Sequence, residues 1–212
     1  MAVTMLQARW NAFLDRQHRD PSGLIGKLVG ERMVRQHAPE TGWTLDLLGI
    51  RPSDRLLELG FGAGRALALA AERTPGGQVL GIDLSPTMVR AAARRNRAAR
   101  RSGHLALLRG DLGALPFAGR RFDKIWSIHT FYFWPDPPRL LAELIGMLAP
   151  GGALAITMAT GQSAPSGELA YWPLHQRVEA LVSELRERGA DATLQHGPNS
   201  RQYNNVAIVV RG

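Results

Sequence analysis

Residues 56–67 read LLELGFGAGRAL, an apolar run that breaks into three glycines at alternate positions, Gly60, Gly62 and Gly64. The run, which begins at Arg55, has the character of a buried strand. The glycines make a loop whose backbone can come close to a nucleotide-like ligand. The pattern on either side repeats. "GRALALAAER" (64–73) is predicted to be a helix and "GQVLGIDL" (77–84) a second strand. "SPTMVRAAARRNRAARR" (85–101) opens with an N-cap serine and Pro86 at the first helical position, a strong helix start. Strands are expected at 104–112, 122–130 and 152–159, with a helix over 137–150 stopped by Pro150. A helix near 172–189 then precedes two strands with no helix between them, 191–197 and 204–212.

Strand and helix in regular alternation imply a parallel sheet covered on both faces. The fold expected is therefore α/β, a Rossmann-like doubly wound sheet of seven mostly parallel strands with an antiparallel C-terminal hairpin at one edge. The first fifty residues read differently. Helical pieces are broken at "RDPSG" (19–23) and "APETG" (38–42), with an amphipathic helix over 24–36 and a short helix capped near Thr41 or Thr44. We expect 1–50 to form an N-terminal helical cap or lid on the 51–212 domain, the whole being one structural domain.

Composition narrows the function classes. The chain has 212 residues, 45% hydrophobic and 21% charged, as in an ordinary globular protein with one well-buried core. It has no cysteine, which excludes disulfides, thiolate metal sites and cysteine nucleophiles. No apolar stretch approaches the ~20 residues of a membrane span, and the N-terminus lacks the apolar core of a secretory signal, so a cytoplasmic location is expected. The net charge of +8 raises the question of an anionic partner such as nucleic acid. However, only Lys27 and Lys124 are lysines, and the densest arginine run, 90–101, suits a solvated helix face. An RNA-binding role is thus a secondary expectation.

The glycine loop discriminates among ligands. A dinucleotide site needs G-x-G-x-x-G, whereas here the third glycine falls one place early and Arg65 takes the site of the expected glycine. No G-K-[ST] follows, so it is not a P-loop. Glu58 immediately precedes the loop, where its charge would oppose a pyrophosphate but suit a cation. The stretch Glu58-Leu59-Gly60-Phe61-Gly62-Ala63-Gly64 resembles the first motif, E/D-x-G-x-G-x-G, of the class I S-adenosylmethionine-dependent methyltransferases. Further matches follow in order: Asp83-Leu84-Ser85-Pro86-Thr87-Met88, "GDLGALPF" (110–117), Phe122-Asp123-Lys124-Ile125 and Leu148-Ala149-Pro150-Gly151-Gly152. Together they cover about residues 55–158 and are most similar to the small-molecule branch that includes ubiquinone- and menaquinone-biosynthesis-type enzymes.

That resemblance implies S-adenosylmethionine as cofactor, with Glu58, Gly60, Phe61, Gly62 and Gly64 around its methionine end and Asp83 on the ribose hydroxyls. Leu84 and Met88 would pack on the adenine, Asp111 and Leu112 would meet its edge, and Ile128 and His129 would approach from the end of the fourth strand. His129 is the candidate general base. His18, Met33, His37, Tyr132 and Trp134 are candidates to line the acceptor pocket, closed on another side by "GQSAPSGEL" (161–169). No metal-ligand cluster stands out, so metal-assisted chemistry is not expected. The acceptor implied is a small metabolite attacked through oxygen, nitrogen or carbon. The alternatives are an RNA methyltransferase using the basic surface and a catalytically silent cofactor-binding module. Monomer and homodimer are both compatible with the sequence.

Overall fold

The computed structural model describes residues 37–160, 172–198 and 204–212. Seven strands form one sheet: β1 (Arg55–Leu59), β2 (Gln78–Asp83), β3 (Leu105–Arg109), β4 (Phe122–Ile128), β5 (Leu148–Ala159), β6 (Asp191–His196) and β7 (Asn205–Arg211). Their spatial order is β3-β2-β1-β4-β5-β7-β6. The first five run parallel to one another. β7 is antiparallel to both β5 and β6. The chain order reverses between β1 and β4, which is where an open α/β sheet leaves a crevice at the carboxyl ends of its strands.

Helices cover both faces. α1 (Ala38–Leu48), α2 (Arg65–Arg73) and α3 (Pro86–Arg95), followed by the short α4 (Arg97–Arg101), precede α5 (Pro137–Gly146) and α6 (Trp172–Glu187). Alternation along β1 assigns its side chains to two cores. Leu56 packs with Leu45 and Leu48 of α1, Leu67 and Ala70 of α2, and Trp126. Leu57 and Leu59 face the other way, toward Leu141 and Leu144 of α5 and Val178 and Val182 of α6. Glu58, between them, shares the α1–α2 side with Leu56, and it is buried there at 3% exposure.

Several element boundaries differ from the sequence expectation, each for a local reason. The expected helix at 85–101 divides at Asn96, whose buried side chain donates to both Ala92 O and Gly64 O, at 3.0 Å each. That tie to the glycine loop competes with helix continuation. α5 ends at Gly146 and not at Pro150, because Leu148 has already paired with Phe122 in the sheet. Pro150 and the glycines after it lie within β5, where the register shifts.

α1 begins at Ala38, so "APETG" starts a helix where a break was expected. Thr41 and Thr44 do not cap it. Their hydroxyls donate to His37 O and Glu40 O at 2.7 Å, inside the helix. Thr44 also meets the Thr157 hydroxyl at 2.7 Å, which fastens α1 to β5. The rest of the expected N-terminal cap, including the 24–36 helix, lies outside the described residues, as does the 161–169 segment. No helix among the described residues is long and apolar enough to cross a membrane.

Candidate active site

A cavity of about 370 Å³ opens at the crevice between β1 and β4. That volume falls in the range of small-molecule sites. Its lining combines Glu58, Gly60, Phe61, Gly62, Asp83, Leu84, Met88, Asp111 and Leu112, from the ends of β1 to β3, with His37, Thr41, Ile128, His129, Thr130 and Phe133, from α1 and the end of β4. Most of the expected cofactor residues are thus brought together around one space. Gly64 stands behind it as the N-cap of α2, where an added Cβ would come within 2.7 Å of Ala92 and Asn96.

The glycine loop is shaped by its neighbours. Gly60 has φ +69°, and a Cβ there would lie 2.4 Å from Thr130 Cγ2. Gly62 has φ +51°, with open space where a side chain would project. Its N–H donates to Asp83 Oδ2 at 2.8 Å, while Ser85 N–H donates to Oδ1 at 2.9 Å. These two bonds fix the plane of the Asp83 carboxylate at the end of β2. Each carboxylate oxygen can accept more than one hydrogen bond, so the same group has capacity for ribose hydroxyls.

Glu58 is the electrostatic centre of the β1-to-β3 set. Burial pushes its carboxyl up to about 8, with the nearby Asp83 adding to the rise and the Trp126 indole and Leu67 amide opposing it. Neither Glu58 Oε2 nor Trp126 Nε1 makes a hydrogen bond of ordinary geometry among the described residues. A buried carboxyl with an unpartnered oxygen beside a cavity is what a cationic ligand needs as counter-charge. The residues therefore fit the ammonium-bearing end of S-adenosylmethionine, with Asp83 and the Asp111–Leu112 turn left for the nucleoside.

His129 follows the last residue of β4 with φ +56°, in the left-handed region. Its N–H donates to Thr157 O at 2.9 Å. The turn directs its ring toward α1, where it meets the His37 ring at a centroid distance of 4.2 Å. Burial, reinforced by His37, pushes the His129 imidazole down to about 3, against the pull of Glu40. The ring is thus held neutral at physiological pH, and a group so reluctant to take a proton is poorly matched to general-base work near pH 7.

Tyr132 and Trp134, expected at the acceptor wall, face elsewhere. A 3-10 turn over Phe131–Phe133 follows β4. It sends the Tyr132 hydroxyl to β5, where it donates to Ala159 O at 3.1 Å and accepts from Ala159 N at 2.6 Å. Trp134 is buried in the core and donates from Nε1 to Thr130 Oγ1 at 3.0 Å. Phe133 and Pro135 line the cavity in their place. His18 and Met33 lie outside the described residues.

Sequence reasoning missed Thr130 and Thr41. Thr130 contacts the Ser127 hydroxyl, which in turn donates to Leu59 O at 3.0 Å, so it links the glycine loop to β4. A hydroxyl one residue past His129 was the only available signal, and it carries no spacing signature. Thr41 had been assigned to a helix cap.

This is the architecture of a class I S-adenosylmethionine-dependent methyltransferase: a parallel sheet with a glycine loop after β1, an acid before that loop and another at the end of β2. Comparison with known proteins bears this out. Residues 57–156 match the family described as "Methyltransferase domain". An uncharacterized methyltransferase, YdaC, of Bacillus subtilis is 30% identical over 141 residues, 66% of this chain and 76% of that protein. The demethylmenaquinone methyltransferase of Thermus thermophilus is 33% identical over 66% of this chain, which spans 63% of that relative's length. The fold is shared with a geranyl diphosphate C-methyltransferase of Streptomyces coelicolor, solved with Mg2+, geranyl diphosphate and S-adenosyl-L-homocysteine. That structure has a TM-score of 0.67 at 17% identity, covering 91% of this chain and 87% of its own. The chain belongs to the S-adenosylmethionine-dependent methyltransferase family.

Proposed function

We propose that this chain transfers a methyl group from S-adenosylmethionine to a small metabolite bound beneath α1 and the end of β4. The observation that carries this reading is a cavity whose lining combines two unlike sets of residues. Glu58, Asp83 and Asp111 provide polar contacts for the cofactor, and His37, Thr41, His129 and Phe133 belong to the other set. When bound, the cofactor supplies an electrophilic methyl group on a sulfonium. The protein's part is to hold the acceptor atom in line with that methyl and to keep water out.

Glu58 offers counter-charge to the ammonium by releasing the proton that burial otherwise makes it keep, and Asp83 orients the ribose from a carboxylate fixed by Gly62 and Ser85. Ile128 and the His129 backbone approach from β4. The His129 ring and the Thr41 hydroxyl then offer an acceptor polar contacts. A relative named for demethylmenaquinone supports a small acceptor, though not a particular one.

The test is transfer of labelled methyl from S-adenosylmethionine to a panel of small phenols, carboxylates, amines and prenylated quinols, with tRNA and rRNA as a parallel arm. Turnover on a small acceptor with none on RNA is the expected result. Labelling of RNA alone would overturn the reading in favour of the basic α3–α4 surface.

A further inference from the structure

His37 and Glu40, at the start of α1, converge with His129, from the end of β4, at one edge of this cavity. One ligand atom each from His37, Glu40 and His129 lie within 4.8 Å of one another. His37 Nδ1 is 3.4 Å from Glu40 Oε1, and His129 Nε2 is 3.9 Å from the same oxygen. Bonds of ~2.0–2.1 Å in a tetrahedral zinc site separate neighbouring donor atoms by ~3.3 Å, so the His37–Glu40 pair already stands near that spacing, His129 Nε2 must close on Glu40 by about 0.6 Å, and the widest pair of the set by at most about 1.5 Å.

The direction of the His129 lone pair is the independent observation. Tyr132 donates its hydroxyl proton to Ala159 O, so it meets His129 Nδ1, 3.4 Å away, as an acceptor. Nδ1 then carries the imidazole proton, and Nε2 presents a lone pair. That Nε2 is buried without a hydrogen-bond partner on a side chain only 9% exposed, and it points toward a carboxylate oxygen. Two acceptors facing each other are unfavourable unless a proton or a metal cation lies between them, and at 3.9 Å the pair is too far apart for a direct hydrogen bond. The surrounding contacts are those of metal ligands held from behind. Asn205 Nδ2 donates to Glu40 Oε1 at 3.2 Å and to Pro198 O at 2.8 Å, and Tyr132 fixes the His129 tautomer.

We propose that His37, Glu40 and His129 bind a divalent cation of the zinc class, with a coordination position left toward the cavity for an oxygen donor of the methyl acceptor. Two imidazoles and one carboxylate form a three-ligand set of the catalytic type, which keeps a further position open. His37 and His129 line the cavity, while Glu40 is fully buried behind them, so the open position faces the part of the lining assigned to the acceptor. This deepens the small-metabolite reading and rests on it: the acceptor would carry a hydroxyl, enol or carboxylate oxygen able to ligate the ion.

The test is calorimetric titration of the chelator-treated full chain with zinc chloride, beside a titration with S-adenosylhomocysteine on the same sample. One zinc per chain, with affinity reduced about tenfold or more in His37→Ala and in His129→Ala, is the expected result. His104→Ala, at the opposite end of the sheet, should leave zinc affinity unchanged. His37 is partly exposed at the start of α1, so its replacement tests the site without opening the core. Cobalt substitution should give the visible spectrum of a four-coordinate nitrogen–oxygen site. Absence of saturable zinc binding, or binding undiminished in both histidine variants, would overturn the proposal. Because S-adenosylhomocysteine is titrated separately, that outcome would leave the methyltransferase reading intact.

Discussion

Replacing Glu58 by Gln is expected to weaken S-adenosylhomocysteine binding by tenfold or more and, at alkaline pH, to make the protein more stable. The two effects have one origin. Glu58 is fully buried, and its carboxyl is pushed up to about 8 from an ordinary 4.5. Between those values the folded chain keeps a proton that the unfolded chain has released. The stability contributed by this raised pKa is therefore fully present below pH 4.5 and is lost as pH rises to about 8. At 1.36 kcal/mol per pH unit the loss is roughly 3–5 kcal/mol. A glutamine of the same shape does not titrate and should not show it. Urea unfolding at pH 5 and pH 8.5 measures the difference. The variant should gain on the wild type by several kcal/mol between the two, while its calorimetric affinity for S-adenosylhomocysteine falls. Parallel pH profiles with unchanged affinity would show that the carboxyl is neither strained by burial nor used by the ligand.

The second large effect is expected at Gly60. Its φ of +69° disfavours any L side chain, and a Cβ would stand 2.4 Å from Thr130 Cγ2. Thr130 cannot easily move, since its hydroxyl contacts Ser127 and accepts from Trp134. Gly60→Ala should therefore cost about 2–4 kcal/mol, combining left-handed strain with overpacking. Thr130→Ser removes the methyl in the way and leaves the hydroxyl. In that background the same substitution should cost only the backbone share, about 1 kcal/mol. Denaturant unfolding of the four proteins in the cycle checks this. Equal costs in both backgrounds would show that Thr130 does not set the requirement for glycine.

What could be read from the sequence was local. The β1 strand and its glycines are contiguous, and the acid at the end of β2 follows at a fixed interval, so both were legible from 56–67 and 83–88. Asp83 and Gly62 duly meet through a hydrogen bond. Tyr132 and Trp134 were expected at the acceptor wall because they are aromatics just past β4, but a 3-10 turn there sends the phenol to β5 and the indole into the core. The break at Asn96 was hidden for a similar reason: its partner, Gly64 O, is 32 residues away. The convergence of His37 and Glu40 with His129 was beyond a one-dimensional reading altogether. It depends on α1 lying against β4 and β5, a packing fixed by Leu45, Leu48 and the Thr44–Thr157 contact.

The glycine loop, with Glu58 before it and Arg65 after it, suits the crevice between β1 and β4 to S-adenosylmethionine and not to a nicotinamide dinucleotide. The most direct measurement is calorimetric titration of ligand-free protein with S-adenosylhomocysteine and, separately, with NADH. Micromolar binding of the first at one per chain, with none of the second, is the result this structure predicts. Binding of NADH in its place, or of neither ligand, would contradict it.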